Sequence, residues 1–197
     1  MTMRRTGLFT VLVAASLAGC GINSVPTAEE EVNAAWGNVE AEYQRRNDLI
    51  GNLVESVKAA AGSEEDILTQ ITEARASATS TNLSTDQLDN PEAVRAYAQA
   101  QGQLANARSL LGTVIMERYP ELASQQRFAD LMVQLEGTEN SILVARRDYN
   151  DAVRNYNTTI RTFPDAIGAK IIHGAEPKVP FEAAAGADEA VEVDFGA

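Results

Sequence analysis

Residues 128–164 read FADLMVQLEGTENSILVARRDYNDAVRNYNTTIRTFP. Phe128, Leu135, Ile142, Tyr149, Tyr156 and Phe163 recur seven apart, and Leu131, Thr138, Ala145, Ala152 and Thr159 fill the companion positions. Two interleaved heptad rows are the signature of a helix packed near-parallel to its neighbours through knobs-into-holes contacts. At 1.5 Å per residue, the helix expected from about 122 to 163 would run roughly 60 Å.

Working outward, the rest of the chain supplies partners for that helix. From Val32 the apolar positions step by four and three through Trp36, Val39, Tyr43, Ile50, Leu53, Val57 and Ala60, and only Arg46 interrupts the seam. Val94, Tyr97, Leu104, Leu111 and Ile115 predict a third helix ending at Tyr119-Pro120, and Ile67, Leu68, Ile71 and Ala74 a shorter second one. Proline breaks helix interiors, so prolines at 26, 91, 120, 164, 177 and 180 read as boundaries. Thr27 with Glu30 and Ser63 with Asp66 have capping-box spacing, and Asn90-Pro91 reads as an N-cap followed by proline at the first helical position. Residues 76–90, polar and small, read as a connection. The expected fold is all-α: an elongated antiparallel bundle of three long helices and one short one, with coiled-coil-like packing.

The ends read differently. Arg4 and Arg5 precede an uncharged, mostly apolar run, Gly7 to Ala18, too short for a spanning helix but of signal-peptide length. It closes on Leu17-Ala18-Gly19-Cys20, which looks like a bacterial lipobox. The reading is a lipoprotein signal peptide at 1–19, a tether at 20–27 behind an acylated Cys20, a bundle at 28–166 and an acidic, Ala-rich tail at 167–197, expected to be mobile. Multiple acyl chains, at roughly 0.8 kcal/mol per buried CH₂, would hold such a protein on the bilayer. Gly21 after the cysteine, with no aspartate there, points weakly to the inner membrane. The expected location is the cell envelope, with the bundle on the periplasmic side.

Composition removes whole classes of function. The 197 residues carry 16 Lys plus Arg against 28 Asp plus Glu, a net charge of −12, and loss of residues 1–19 would make it −14. A chain this acidic is a poor partner for nucleic acid, whose affinity comes from basic side chains neutralising phosphates. One cysteine excludes an internal disulfide framework, and one histidine, His173 in the tail, excludes the Glu-x-x-His pairs of di-metal bundles. Ser63 to Asp66 is the densest acidic cluster and reads as a helix start favoured by the dipole. Asp130, Glu136 and Glu139 scatter around their helix, and no Gly-rich phosphate cradle or Ser/His/Asp set occurs. No catalytic residue, metal site or cofactor is expected.

Arg46 and Arg146 sit on or beside the apolar seams. The plain reading is inter-helix pairing with Asp48, Asp148, Glu136 or Glu139; the functional reading is a site for an anion or a partner's carboxylate. Tyr149 and Tyr156 read as core residues with hydroxyls pointing outward, and as possible members of the same interaction surface. Gly51, Gly102, Gly112 and Gly137 fall inside helices, where they cost stability relative to alanine, so close helix approach or a local bend is expected. The glycosylation-like triplets at Asn82 and Asn157 carry no weight.

Three blocks then resemble the LemA family of bacterial envelope proteins. They are Ala35-Trp36 with RRNDLIGNLVESVK (Arg45 to Lys58) and Thr72 to Ala76; Arg118 to Leu122; and LEGTENSILVARRDYNDAVRNYNTTIRTFP (Leu135 to Pro164). A weaker echo follows at Pro180 to Ala183 and Val193 to Phe195. Gly51 departs from the family's usual proline, and the lipobox departs from the transmembrane helix of many members. The resemblance implies a membrane-anchored, extracytoplasmic helical domain and brings no catalytic residues with it. The expected function is a non-enzymatic interaction or scaffold module whose partners are the bilayer, through Cys20, and other envelope proteins or further copies of the chain. The alternative is a ligand- or metal-binding periplasmic module.

Overall fold

A computed structural model describes residues 3–61 and 65–182, with side chains from 23 to 58 and from 68 to 182. The described chain is helical and holds no strand. In order come α1 (Met3–Ala61), α2 (Glu65–Ser80), a 3-10 turn (Thr85–Gln87), α3 (Pro91–Arg118), α4 (Pro120–Ala123), α5 (Gln126–Thr159), α6 (Asp165–Gly168) and a π-helical turn (Ala169–His173). The start of the Ser63–Asp66 capping pattern lies outside the described residues, as do the side chain of Cys20 and all of 183–197.

The heptad rows of α5 do what their period requires. Phe128, Leu131, Leu135, Thr138, Ile142, Ala145, Tyr149 and Tyr156 all face inward. The companion row slips one place near the end, where Val153 is buried instead of Ala152. A straight helix of 3.6 residues per turn drifts against a seven-residue repeat, and the slip absorbs that drift. Phe163 does not join the seam: α5 stops at Thr159, and Phe163 is 68% exposed.

α5 lies antiparallel on α1, with Tyr149 beside Trp36 at one level and Glu139 beside Arg46 at another. α2 turns back along α1 and packs chiefly against α3. Asn90 caps α3 as its sequence predicts, accepting hydrogen bonds from the backbone of Glu92 (3.0 Å) and Ala93 (3.3 Å), with Pro91 at the first helical position. A cap of this kind contributes about 1 kcal/mol.

Three boundaries move. α1 runs through Pro26 instead of starting at Thr27, whose hydroxyl donates to the Asn23 carbonyl (2.7 Å) as an interior threonine does. Only one backbone N–H is lost at a proline, and burial of Val25, Ala28 and Val32 against α5 and α6 outweighs it. α2 extends to Ser80, because Ala78 is buried and Asn47 donates to the Thr79 hydroxyl (3.0 Å), which shortens the expected connection. The expected tail begins at 167, yet residues 167–182 pack on the bundle: Ala169, Lys178 and Phe181 are buried.

The helical glycines divide. A side chain at Gly51 would meet the Arg75 guanidinium (2.9 Å) and one at Gly112 the Met132 methyl (3.3 Å), in each case the tip of a long side chain from a neighbouring helix and not its backbone. Gly102 and Gly137 have open space around them, and Gly102 borders the groove described below.

The core is divided. One cluster runs from Val25 to Tyr43 on α1 with Tyr97, Ile142, Tyr149, Tyr156 and Phe181; the other joins Ile50, Leu53 and Val57 to Ile71, Leu104, Leu111, Phe128 and Leu135. Between them lies a layer of buried polar side chains, Arg46, Asn47, Gln101 and Thr138.

Candidate functional site

Arg46 occupies the inward position that its place in the α1 seam dictates, and it is 2% exposed. Its Nη2 donates to the Gln101 side-chain Oε1 (2.7 Å) and to the Gln101 backbone carbonyl (3.0 Å). Its guanidinium also lies over the Tyr43 ring, 4.9 Å from the centroid. Gln101 in turn donates to the Ala78 carbonyl (3.2 Å), so one glutamine joins α1, α2 and α3 and satisfies a carbonyl in the last turn of α2. The sequence suggested carboxylate partners, and the one that meets Arg46 is Glu139, at 3.5 Å. That distance is long for a charge-assisted bond, which is ordinarily about 2.7–2.9 Å. Glu139 is shared with Arg108 at 3.7 Å. Burial lowers the Arg46 pKa from its ordinary value, and the Glu139 charge partly offsets the effect.

Several polar atoms in this layer have no hydrogen-bond partner: Arg46 Nε, Arg108 Nε, Glu139 Oε1 and Asn47 Oδ1. Arg108 Nε and Glu139 Oε1 face each other as an ion pair at 3.7 Å, too long for a hydrogen bond; Arg46 Nε and Asn47 Oδ1 are costly when dry and call for an occupant such as water or a ligand.

A groove opens where α3 and α5 flank α1 without closing on each other. It has a volume of about 800 Å³. Tyr43 and Arg46 form its floor, Val94, Ala98 and Gly102 one wall, and Ile142 and Leu143 the other. Three arginines, Arg46, Arg95 and Arg146, border it with two acids, Glu139 and Glu182. The groove is thus locally cationic on a chain whose net charge is −12. Leu143 on its rim is 63% exposed.

One end of the groove is closed by residues 177–182, an extended strap laid along α5. Asn157 donates to the Lys178 carbonyl (2.8 Å) and accepts from the Lys178 N–H (2.9 Å). Asn150, seven residues earlier and on the same face, treats Phe181 identically (3.0 and 2.8 Å). The Tyr149 hydroxyl donates to the Val179 carbonyl (2.9 Å), and the Val179 N–H donates to the Leu88 carbonyl (2.8 Å). Lys178 Nζ meets Glu29 at 3.3 Å. Apart from the Val179 N–H, the paired backbone groups of the strap are thus satisfied by side chains in place of a sheet. Phe181 anchors it, stacked on Trp36 (5.9 Å between centroids) and edge-on to Tyr149 (5.4 Å).

Arg146 meets none of the acids proposed for it. It stands over the Phe181 ring (5.0 Å) and donates to the Glu182 carbonyl (2.9 Å), which leaves its charge at the groove rim. Tyr149 is fully buried and its hydroxyl turns to the strap, not to solvent. Tyr156 is equally buried and belongs to the core; burial, with Glu29 and Asp89 nearby, pushes its pKa up to about 12. The structure thus brings Arg46 and Arg146 to one groove, places Tyr149 behind the strap and leaves Tyr156 out. Sequence reading missed Gln101, Asn150 and Phe181, and it set Asn157 aside. The available signal was the seven-residue repeat of Asn150 and Asn157 beside Tyr149 and Tyr156.

Among the described residues no group of three His, Cys, Asp or Glu side chains is placed to hold a metal, and no helix is long and apolar enough to cross a membrane. Asp130 and Glu136 are exposed and apart from the groove.

Two MamQ magnetosome proteins of Paramagnetospirillum magneticum are each 28% identical over 158 residues, covering 72% of this chain and 58% of theirs. The MamQ magnetosome protein of Magnetospirillum gryphiswaldense is 26% identical over 158 residues, with the same coverage. The chain therefore spans little more than half the length of these relatives. Residues 35–195 match the LemA family, a stretch that includes the buried arginine, both groove walls and the strap. The chain belongs to the LemA family.

Proposed function

We propose that this LemA-family protein is a membrane-anchored helical interaction module of the cell envelope, which receives a segment of a partner protein in the groove between α3 and α5. The observation that carries this reading is Arg46, a charged side chain at the floor of an open groove, with its Nε unpartnered. A buried charge is weak evidence for stability, because desolvation commonly cancels the ion-pair gain, so its presence in an apolar seam points to a recognition role. Arg95 and Arg146 at the rim suit a partner segment that carries carboxylates beside apolar side chains. Anchoring is assigned to Cys20, at the end of the lipobox-like string, with the bundle outside the cytoplasm. Nothing in the groove resembles a catalytic set, and the proposed role is non-enzymatic.

Affinity capture from detergent-extracted membranes tests it. The intact chain is compared with Arg95→Glu/Arg146→Glu and with Cys20→Ala. A partner retained by the intact chain and lost on charge reversal, with Cys20→Ala released from the membrane fraction, is the expected result. Capture that ignores the groove charges contradicts the reading.

The unpartnered Arg46 Nε and the loose Arg108–Glu139 pair at 3.7 Å favour a second reading, in which a small carboxylate or phosphate binds the polar layer. A ligand that binds only the folded state raises its melting temperature, so a thermal screen with such anions decides this reading directly.

A further inference from the structure

The end of the bundle next to the N-terminal anchor carries an apolar surface that the groove does not explain. Of the nine strongly exposed large hydrophobics among the described residues, four lie between 163 and 172: Phe163 (68%), Ile167 (54%), Ile171 (77%) and Ile172 (58%). Ile167 and Ile171 are four apart, through α6 and the π-helical turn, and Phe163 stands in the turn just before α6. The inner side of this segment is made of small residues: Gly168 and Ala169 are buried against the bundle.

The position of this surface is fixed. The Ser24 hydroxyl donates to the Asp165 carboxylate (2.8 Å), so α6 lies at the level of residue 24 on α1. α1 is helical from Met3, and Ser24 is four residues past Cys20, roughly 6 Å along the axis. Acylation at Cys20 or insertion of the Gly7–Ala18 run would each bring this level to the bilayer surface. The charges follow the same geography. No charged residue occurs from Thr6 to Ala28, and the acids of α1 begin only at Glu29, Glu30 and Glu31. Around the apolar side chains the exposed cations are Arg161 and Lys170, with His173 beside them; Asp165 is engaged by Ser24, and Glu176 lies beyond the turn. An acidic protein whose anchored end is apolar, uncharged from Thr6 to Ala28 and flanked by the exposed Arg161 and Lys170, has the composition of an interfacial contact.

We infer that Phe163, Ile167, Ile171 and Ile172 form a pad that enters the headgroup–acyl boundary of the bilayer, so that the bundle stands end-on at the membrane with the groove held away from it. The inference rests on the anchoring half of the proposed function. Arg161 and Lys170 reach anionic headgroups from the edge of the pad, with their stems on its apolar side.

The test uses the full, acylated chain in vesicles of phosphatidylethanolamine and phosphatidylglycerol containing phospholipid brominated on its acyl chains. The sole tryptophan, Trp36, is 1% exposed in the core and supplies a constant background. Ile171→Trp should lose emission to the brominated chains. Val133→Trp, at a position 69% exposed and roughly 40 Å back along α5 from residue 160, should not. Adding Phe163→Asp and Ile167→Asp to the Ile171→Trp chain should restore its emission, with circular dichroism unchanged.

Quenching of neither tryptophan variant in vesicle-bound protein overturns the pad while leaving the anchor intact, as would a pad contacting a second copy or another protein. Equal quenching of both overturns the end-on orientation. A wild-type chain that does not sediment with vesicles overturns the anchoring itself, and the pad with it.

Discussion

Replacing Arg46 by methionine separates a recognition residue from a structural bolt. The change removes two hydrogen bonds to Gln101 and a loose 3.5 Å approach to Glu139. Gln101, 3% exposed, loses the donor to its Oε1, and a buried orphaned acceptor costs about 1–3 kcal/mol. Glu139 is not stranded, because its side chain is 26% exposed and Arg108 remains at 3.7 Å. Against this loss, the guanidinium's own desolvation penalty disappears, an effect of several kcal/mol for a fully dry ion and less beside an open groove. Methionine fills most of the vacated space and packs against Tyr43. The two contributions nearly cancel, and Arg46→Met should lie within about 2 kcal/mol of wild type. Arg46→Ala adds a cavity to the orphaned glutamine and should cost about 3–5 kcal/mol. For a chain of this size that is a fall of roughly 6–20 °C in melting temperature, against about 4–8 °C at most for methionine. Urea unfolding followed through Trp36 measures both. If methionine costs as much as alanine, Arg46 holds the bundle together and the argument for its role in recognition collapses.

Other consequences are sharper in place than in size. Asn157→Leu leaves the Lys178 N–H and C=O without partners, so hydrogen exchange should accelerate at residues 178–181 while α1 and α5 stay protected; uniform exchange changes would mean the strap is not a separate unit. Phe181→Ala empties the space beside Trp36 and Tyr149. It should cost about 3–5 kcal/mol, or less if the strap lifts off alone, and it should shift Trp36 emission to the red. Burial raises the Tyr43, Tyr97, Tyr149 and Tyr156 hydroxyls above the ordinary value near 10, Tyr156 to about 12. Stability should therefore be flat up to about pH 10 and fall as the pH rises towards 12 and beyond, with the tyrosinate absorbance of these four residues appearing only as the protein unfolds. Asn90→Ala should destabilise α3 by about 1 kcal/mol and leave groove binding unchanged.

The helices were legible in the sequence because burial repeats with the helix. The α5 heptads, the α1 seam and the Asn90 cap each state a local rule that the tertiary packing also obeys. Arg46 was legible for the same reason: a charge at a seam position must be either buried or a break in the pattern. The strap was not legible. An extended segment fastened by side chain to backbone bonds has no periodicity of its own, and Asn150 and Asn157, which hold it, look from the sequence like solvated positions on a helix. Arg146 misled for a related reason, since its partners are a carbonyl and a ring contributed by that strap. Phe163 kept the heptad spacing after the helix had ended, and a spacing rule cannot see a helix stop that comes before the proline.

The claim that the α3–α5 groove is the working surface is tested most directly by photo-crosslinking in intact cells. A photoreactive amino acid at Leu143, on the groove rim, is compared with one at Val133, equally exposed and away from it. The account predicts a discrete adduct from position 143 that Arg95→Glu/Arg146→Glu abolishes, and none from 133. Adducts from 133 alone, or adducts from 143 that survive the charge reversal, would contradict it.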